Sequence, residues 1–143
     1  MKKEKLIDYI LHLKNWIPKE ITKTTVKELF KKKWEPHYHI NTQNLKTVFR
    51  KNELDIYWSE NSLTYNTELH DLIWKALEKY ILKEYKNKYH SGWAGFSSIK
   101  FNRYRKNQIM TKHIDHIKSL FDGERKGIPV LSIIGALNNN YTG

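Results

Sequence analysis

Apolar residues recur at three- and four-residue spacing in the first part of the chain, which is typical of helices. Two such segments, residues 6–16 and 19–30, come first, and Pro18 separates them because proline disfavours a helical conformation in the preceding residue. A longer segment, residues 66–88, has a broad apolar stripe with lysines opposite it. The pattern therefore predicts three helices before residue 92.

Alternating polar and apolar positions predict strands in two regions. A short strand is expected over residues 54–58, after an extended region that begins at Pro36. From Trp93 onward alternation replaces the helical spacing, and residues 96–104 combine polar and apolar side chains on both faces. Mixed faces suit a strand that lines a site. Asn107 follows this strand, where a turn is expected because asparagine tolerates a left-handed conformation.

The last apolar run, residues 128–137, has apolar side chains on both faces of an extended strand, which predicts a fully buried strand. Gly135 within it indicates a bulge or a close backbone approach. Taken together, the pattern predicts a single α+β domain. Residues 1–92 form a helical and mixed buttress, and residues 93–143 form the first part of a β core.

Composition limits the chemistry that this fold can carry. A chain of 143 residues without cysteine has no disulfide, Cys-ligated zinc, iron–sulfur cluster or thiol nucleophile, whereas a site of imidazole and carboxylate groups is possible. The apolar residues near the N-terminus are interrupted by Asp8 and His12, and no segment approaches the length of a membrane span. We therefore expect a cytoplasmic protein without a membrane partner.

The formal net charge of +11 favours nucleic acid as a partner, since phosphates attract basic proteins. Most of this charge is lysine scattered along the chain, with no arginine-rich cluster, and such lysines usually cover solvated faces. A basic nucleic-acid-binding module is therefore kept as an alternative and is not the favoured interpretation.

Candidate metal chemistry is concentrated at His113 and Asp115, nine and eleven residues after Tyr104. On an extended strand these two side chains face the same side and can converge on one ion. Non-haem iron(II) oxygenases use two histidines and one carboxylate, which leaves coordination positions open. His37 and His39 have the same spacing without a neighbouring carboxylate in the sequence, and two half-exposed strand residues explain that pair more simply.

The segment from Tyr104 to Asp115 resembles the signature of the Fe(II)- and 2-oxoglutarate-dependent dioxygenases, in the prolyl 4-hydroxylase-like branch of bacteria and their viruses. In that signature a tyrosine is followed by a glycine, an aromatic residue and His-x-Asp. The matching positions here are Tyr104, Asn107, Met110 and His113 with Asp115, so the glycine and the aromatic residue are replaced. The resemblance covers residues 96–143.

This resemblance implies a double-stranded β-helix (jelly-roll or cupin-like) core on which the N-terminal helices pack. It also implies that His113 and Asp115 are catalytic ligands of Fe(II), and that Tyr104 hydrogen-bonds a carboxylate of the cosubstrate 2-oxoglutarate. The expected reaction consumes molecular oxygen and hydroxylates a C–H bond, of a peptidyl proline, another residue or a small molecule. L-Ascorbate is a candidate reductant. Some members also contact the cosubstrate where this chain has Ala136.

Two elements of the expected site have no counterpart in this sequence. No histidine follows His116, which is expected to line the entrance, and the family's distal histidine and 2-oxoglutarate-binding basic residue are not found. We therefore expect these 143 residues to be the N-terminal part of a longer oxygenase and to be inactive alone. An interaction domain that keeps the oxygenase fold without iron is the other alternative.

Overall fold

The computed structural model describes residues 5–40, 44, 46–84, 97–111 and 131–139. Their regular elements are a 3-10 helix, two α-helices, a π-helical turn and five short strands. In chain order these are the 3-10 helix Leu6–Tyr9, α1 Lys19–Leu29, β1 Glu35–Pro36, β2 Tyr38–Ile40, β3 Thr47–Phe49, β4 Asp55–Trp58, α2 Asn66–Lys79, the π-helical turn Tyr80–Glu84 and β5 Lys100–Arg103. The predicted α+β class is confirmed. The two sheets are small and antiparallel, so the jelly-roll core stays a prediction.

The chain divides into two compact units, and the first contains both α-helices. Helix α1 begins after Pro18, whose carbonyl accepts a hydrogen bond from the Thr22 amide at 3.0 Å. Its last turn buries Leu29, and Leu63 and Leu69 are buried at the start of α2. The Glu28 carboxylate accepts hydrogen bonds from the Thr64 amide and hydroxyl, which fixes the connection that leads into α2.

The first predicted helix is wrong over most of its length. Only Leu6–Tyr9 is helical, as a single 3-10 turn, and Asn15 has a left-handed backbone with φ of 54°. Ile7 and Ile10 stay 65% and 57% exposed. A helix this short needs a packed apolar face for its stability, and these side chains have little of one.

The other two helical predictions are close to the observed elements. Helix α1 ends one residue before the predicted Phe30. Helix α2 begins at the predicted Asn66 and widens into the π-helical turn after Lys79, while residues 85–88 of the prediction lie outside the described residues. No helix in the described ranges is long and apolar enough to cross a membrane.

The second unit contains all five strands, arranged as a three-stranded sheet in the order β1, β4, β5 and a hairpin of β2 and β3. Strand β4 is central, and its antiparallel register with β5 places Tyr57 opposite Phe101 and Asp55 opposite Arg103. Leu54, Ile56 and Phe101 form its buried apolar core. The predicted strand at residues 54–58 is thus confirmed, and the one at 96–104 is confirmed over Lys100–Arg103.

The predicted buried strand at residues 128–137 is not observed in the part that the structure describes. Residues 131–137 form no strand there, and Ile133 and Ile134 are 48% and 93% exposed. An apolar run becomes a strand only when another strand takes its backbone hydrogen bonds, and no described strand pairs with it. The close approach expected at Gly135 is present, since a Cβ there would lie 3.2 Å from Ile17 Cδ1.

Candidate functional site

Tyr104 follows β5 directly and stands at the start of a chain reversal. The Gln108 amide donates to the Arg105 carbonyl at 3.0 Å, and the Gln108 side chain accepts from the Arg105 amide at 2.7 Å. Asn107 has φ of 66°, which confirms the predicted turn at this residue. The reversal brings the hydroxyl of Tyr104, a residue that is 52% exposed, to 3.9 Å from Met110 Sδ. The accessible hydroxyl can bind a ligand from solvent.

An ion-pair cluster around a buried carboxylate holds the backbone on both sides of Tyr104. Asp55 is only 7% exposed, and its Oδ2 atom accepts from Arg103 Nη2 at 2.7 Å and from Arg105 Nη2 at 2.9 Å. Arg103 Nε also donates to this oxygen at 3.2 Å. Charge-assisted hydrogen bonds of this kind combine strength with fixed geometry. Asp55 therefore fixes the residues immediately before and after Tyr104.

A second carboxylate cluster holds the chain on the far side of the turn. Glu53 Oε2 lies 2.6 Å from His37 Nδ1, and Glu53 Oε1 accepts from the Thr111 hydroxyl at 2.6 Å. The side chains of His37 and Glu53 are 15% and 16% exposed. The returning segment is also held by Gln108, whose side-chain nitrogen Nε2 donates to the Lys51 carbonyl at 3.3 Å. Glu53 thus anchors Thr111, two residues before His113.

The electrostatics of Glu53 follow from these partners. The hydrogen bonds from Thr111 and then His37 lower the pKa of Glu53, and the nearby charges of His37 and Arg50 act in the same direction. Partial burial opposes them by disfavouring the ionised carboxylate. Glu53 is therefore more firmly ionised than an ordinary glutamate.

The sequence reasoning missed the Glu53 cluster. His37 has no carboxylate beside it in the sequence, and its partner is sixteen residues away. The available signal was the pair of acidic residues, Glu53 and Asp55, that flanks the buried Leu54 at the start of a predicted strand. His39 is an exposed residue of β2, whereas His37 lies between β1 and β2 with its side chain 15% exposed against Glu53, so the expectation of two half-exposed strand residues holds in part.

The two predicted iron ligands, His113 and Asp115, lie outside the described residues, as does His116. Within the described ranges no group of three or more His, Cys, Asp or Glu side chains could hold a metal ion. The imidazole and carboxylate donors that the sequence offers are of the type that non-haem Fe(II) accepts. Of the three predicted site residues, Tyr104 alone has a described position, and the contacts of Glu53 reach as far as Thr111.

Comparison with known proteins adds no family to this description. No protein-family model, no curated protein and no solved structure matches this chain. The functional assignment therefore depends on the residues themselves and on the resemblance of their signature.

Proposed function

We propose that this chain carries part of the active centre of an Fe(II)- and 2-oxoglutarate-dependent dioxygenase, in which His113 and Asp115 hold the metal and Tyr104 binds the cosubstrate. The observation that supports this proposal is the reversal at Asn107, with its φ of 66°, between Tyr104 and the segment that leads to His113. The signature of the family places a turn at this position. Asparagine replaces the family's glycine here and still adopts the left-handed conformation.

The residues named in this proposal have distinct roles. Bound iron would activate molecular oxygen, with 2-oxoglutarate as the reductant: one oxygen atom would enter succinate as the cosubstrate loses carbon dioxide, and the other would enter a substrate C–H bond. Tyr104 donates a hydrogen bond from its hydroxyl to a carboxylate of 2-oxoglutarate, and the arginines beside it are held by Asp55. Glu53 positions Thr111 and thereby the approach to His113.

The substrate is proposed at the level of its class. A peptidyl proline is the first candidate, and other residues or small molecules are the alternatives. L-Ascorbate is a candidate reductant. A cytoplasmic location of the protein stays a prediction. In this proposal the protein's side chains contribute the geometry of the site, and the bound cofactors contribute the chemistry.

The proposal is tested by the iron content of the protein after equilibrium dialysis against Fe(II) under anaerobic conditions. We expect the double variant His113→Ala with Asp115→Ala to lose most of the iron that the unchanged chain retains, because two of the three protein donors of a 2-His-1-carboxylate site are removed. The control is His12→Ala, which removes an exposed histidine from the other compact unit. Equal retention of iron by all three proteins would show that His113 and Asp115 do not hold the metal, and no retention by any of them would favour the iron-free interaction domain.

A further inference from the structure

The positive charge of the protein is concentrated in the unit that contains the sheets. Within residues 31–59 and 99–111 there are ten Lys or Arg and three Asp or Glu, an excess of seven positive charges. Residues 1–30 and 60–98 of the other unit have twelve basic and nine acidic residues. The net charge is therefore unevenly divided, at +7 against +3, because the basic stretch has few acidic residues and not because it has more lysines.

Two of the three acidic groups in this basic stretch are engaged by partners within the same unit. Asp55 is shared by Arg103 and Arg105, and Glu53 is held by His37 and Thr111. Arg105 is 65% exposed at its side chain, so part of its charge is still accessible to an anion. The unit thus presents a positive surface to an anionic partner.

One face of the three-stranded sheet combines this charge with aromatic rings. Alternate residues of a strand share a face, so the register of β4 with β5 places Tyr57 beside Phe101 and Asp55 beside Arg103. The ring centroids of Trp34 and Tyr57 are 6.0 Å apart, and those of Tyr57 and Phe101 are 6.4 Å apart. This cation–aromatic face consists of Lys32, Trp34, Tyr57, Phe101 and Arg103.

The cations of this face lie over its rings. Arg103 Cζ is 4.4 Å from the centroid of Trp34, and Lys32 Nζ is 5.8 Å from the centroid of Tyr57. Trp34, Tyr57 and Lys32 are half-buried, while Lys31 and Lys33 beside them are exposed. The guanidinium of Arg103 lies within cation–π distance of Trp34, so charged and aromatic groups are close together on this face.

We propose that the cation–aromatic face binds single-stranded nucleic acid, with lysine and arginine contacting phosphates and Trp34 and Tyr57 stacking against bases. Single-stranded chains suit this combination because their bases expose flat faces, whereas the bases of a duplex are stacked inside it. An acidic peptide would match the charge but has no planar groups for the rings. This binding is independent of the iron site proposed above.

The charge part of the proposal is tested by fluorescence anisotropy of a labelled oligothymidylate over a series of salt concentrations. Replacing Lys31, Lys32 and Lys33 together by alanine should lower the affinity and reduce the slope of log affinity against log salt by about 2, since each phosphate contact contributes about 0.7. The matched control replaces Lys19, Lys23 and Lys27, three exposed lysines of α1, by alanine. An equal loss in both triple variants contradicts a localised face.

The stacking part is tested by Trp34→Leu, which should weaken oligothymidylate binding by roughly 5- to 150-fold, the range measured for loss of one stacked base. The control is Trp74→Leu on α2, a tryptophan that is 41% exposed in the other unit. Circular dichroism checks that each variant is folded. The lysine variants test the face independently if Trp34→Leu does not fold.

A competition experiment separates the two kinds of anionic partner. Poly-L-glutamate at matched charge should displace the oligothymidylate poorly, because it offers no base to stack. Equal displacement by poly-L-glutamate, or no oligothymidylate binding by the unchanged chain, overturns the proposal.

Discussion

Glu53 illustrates how single residues determine the candidate site. Its carboxylate joins His37, which follows β1, to Thr111 after the turn, although the two are far apart in the sequence. The acidic pair around Leu54 marks Glu53 as a candidate, but no local pattern identifies its partners, because they are brought to it only when the sheet forms. Tyr104, by contrast, is identified by its spacing from His113 and Asp115, and this spacing is visible in the sequence.

The lowered pKa of Glu53 predicts how stability depends on pH. A carboxylate whose pKa is lower in the folded state than in the unfolded state stabilises the fold above its ordinary pKa, near 4.5. This contribution is lost as the pH falls through the lower, folded value. Urea unfolding of the unchanged chain and of Glu53→Gln should therefore give free energies that differ at neutral pH and converge in acid.

The control for this experiment is Glu78→Gln, which changes an exposed glutamate on α2. We expect its unfolding free energy to follow that of the unchanged chain over the whole pH range. A difference between Glu53→Gln and the unchanged chain that stays constant down to acid pH would show that the ionised carboxylate is not the source of the stabilisation.

Elements whose own sequence determines them could be predicted, and those that depend on partners could not. Helix α1 has a proline at its start and helical spacing throughout, and β4 alternates over a few residues, so both were found. The apolar residues 6–16 and 131–137 carry equally clear patterns, yet Ile7, Ile10, Ile133 and Ile134 are exposed and the predicted helix and strand are mostly not formed in the described residues. Periodicity identifies a face that could be buried, and the rest of the fold decides whether it is.

The turn at Asn107 provides a prediction at the scale of one element. Its left-handed conformation disfavours β-branched residues, so Asn107→Val should lower the unfolding free energy by about 1–2 kcal/mol. Asn107→Gly should leave it unchanged or raise it slightly, since glycine adopts this conformation without strain. Urea denaturation followed by circular dichroism measures both changes.

The matched control is Asn102→Val, which places valine at an exposed position of β5. A strand accommodates a β-branched residue readily, so we expect a change within about 0.5 kcal/mol. If the two valine variants lose the same stability, the conformation of Asn107 is not what limits the choice of residue in this turn.

At the scale of the whole molecule, charge and candidate chemistry are found in the same unit of the chain. The sheet-containing unit has the larger net positive charge, the two carboxylate clusters and Tyr104. The α+β class of the chain followed from the sequence, whereas the concentration of net charge on one unit became visible only when distant segments were assigned to that unit. A count of lysines along the chain carries no information about which segments fold together.

Whether Tyr104, His113 and Asp115 belong to one site is decided by titrating the Fe(II)-loaded protein with 2-oxoglutarate in the absence of oxygen. The charge-transfer absorption of the bound cosubstrate is the signal to follow. We predict that Tyr104→Phe weakens 2-oxoglutarate binding about tenfold at unchanged iron content, which corresponds to the loss of one hydrogen bond to a charged group. The combined His113→Ala and Asp115→Ala changes should abolish the signal. A titration that is the same in all three proteins would contradict the account.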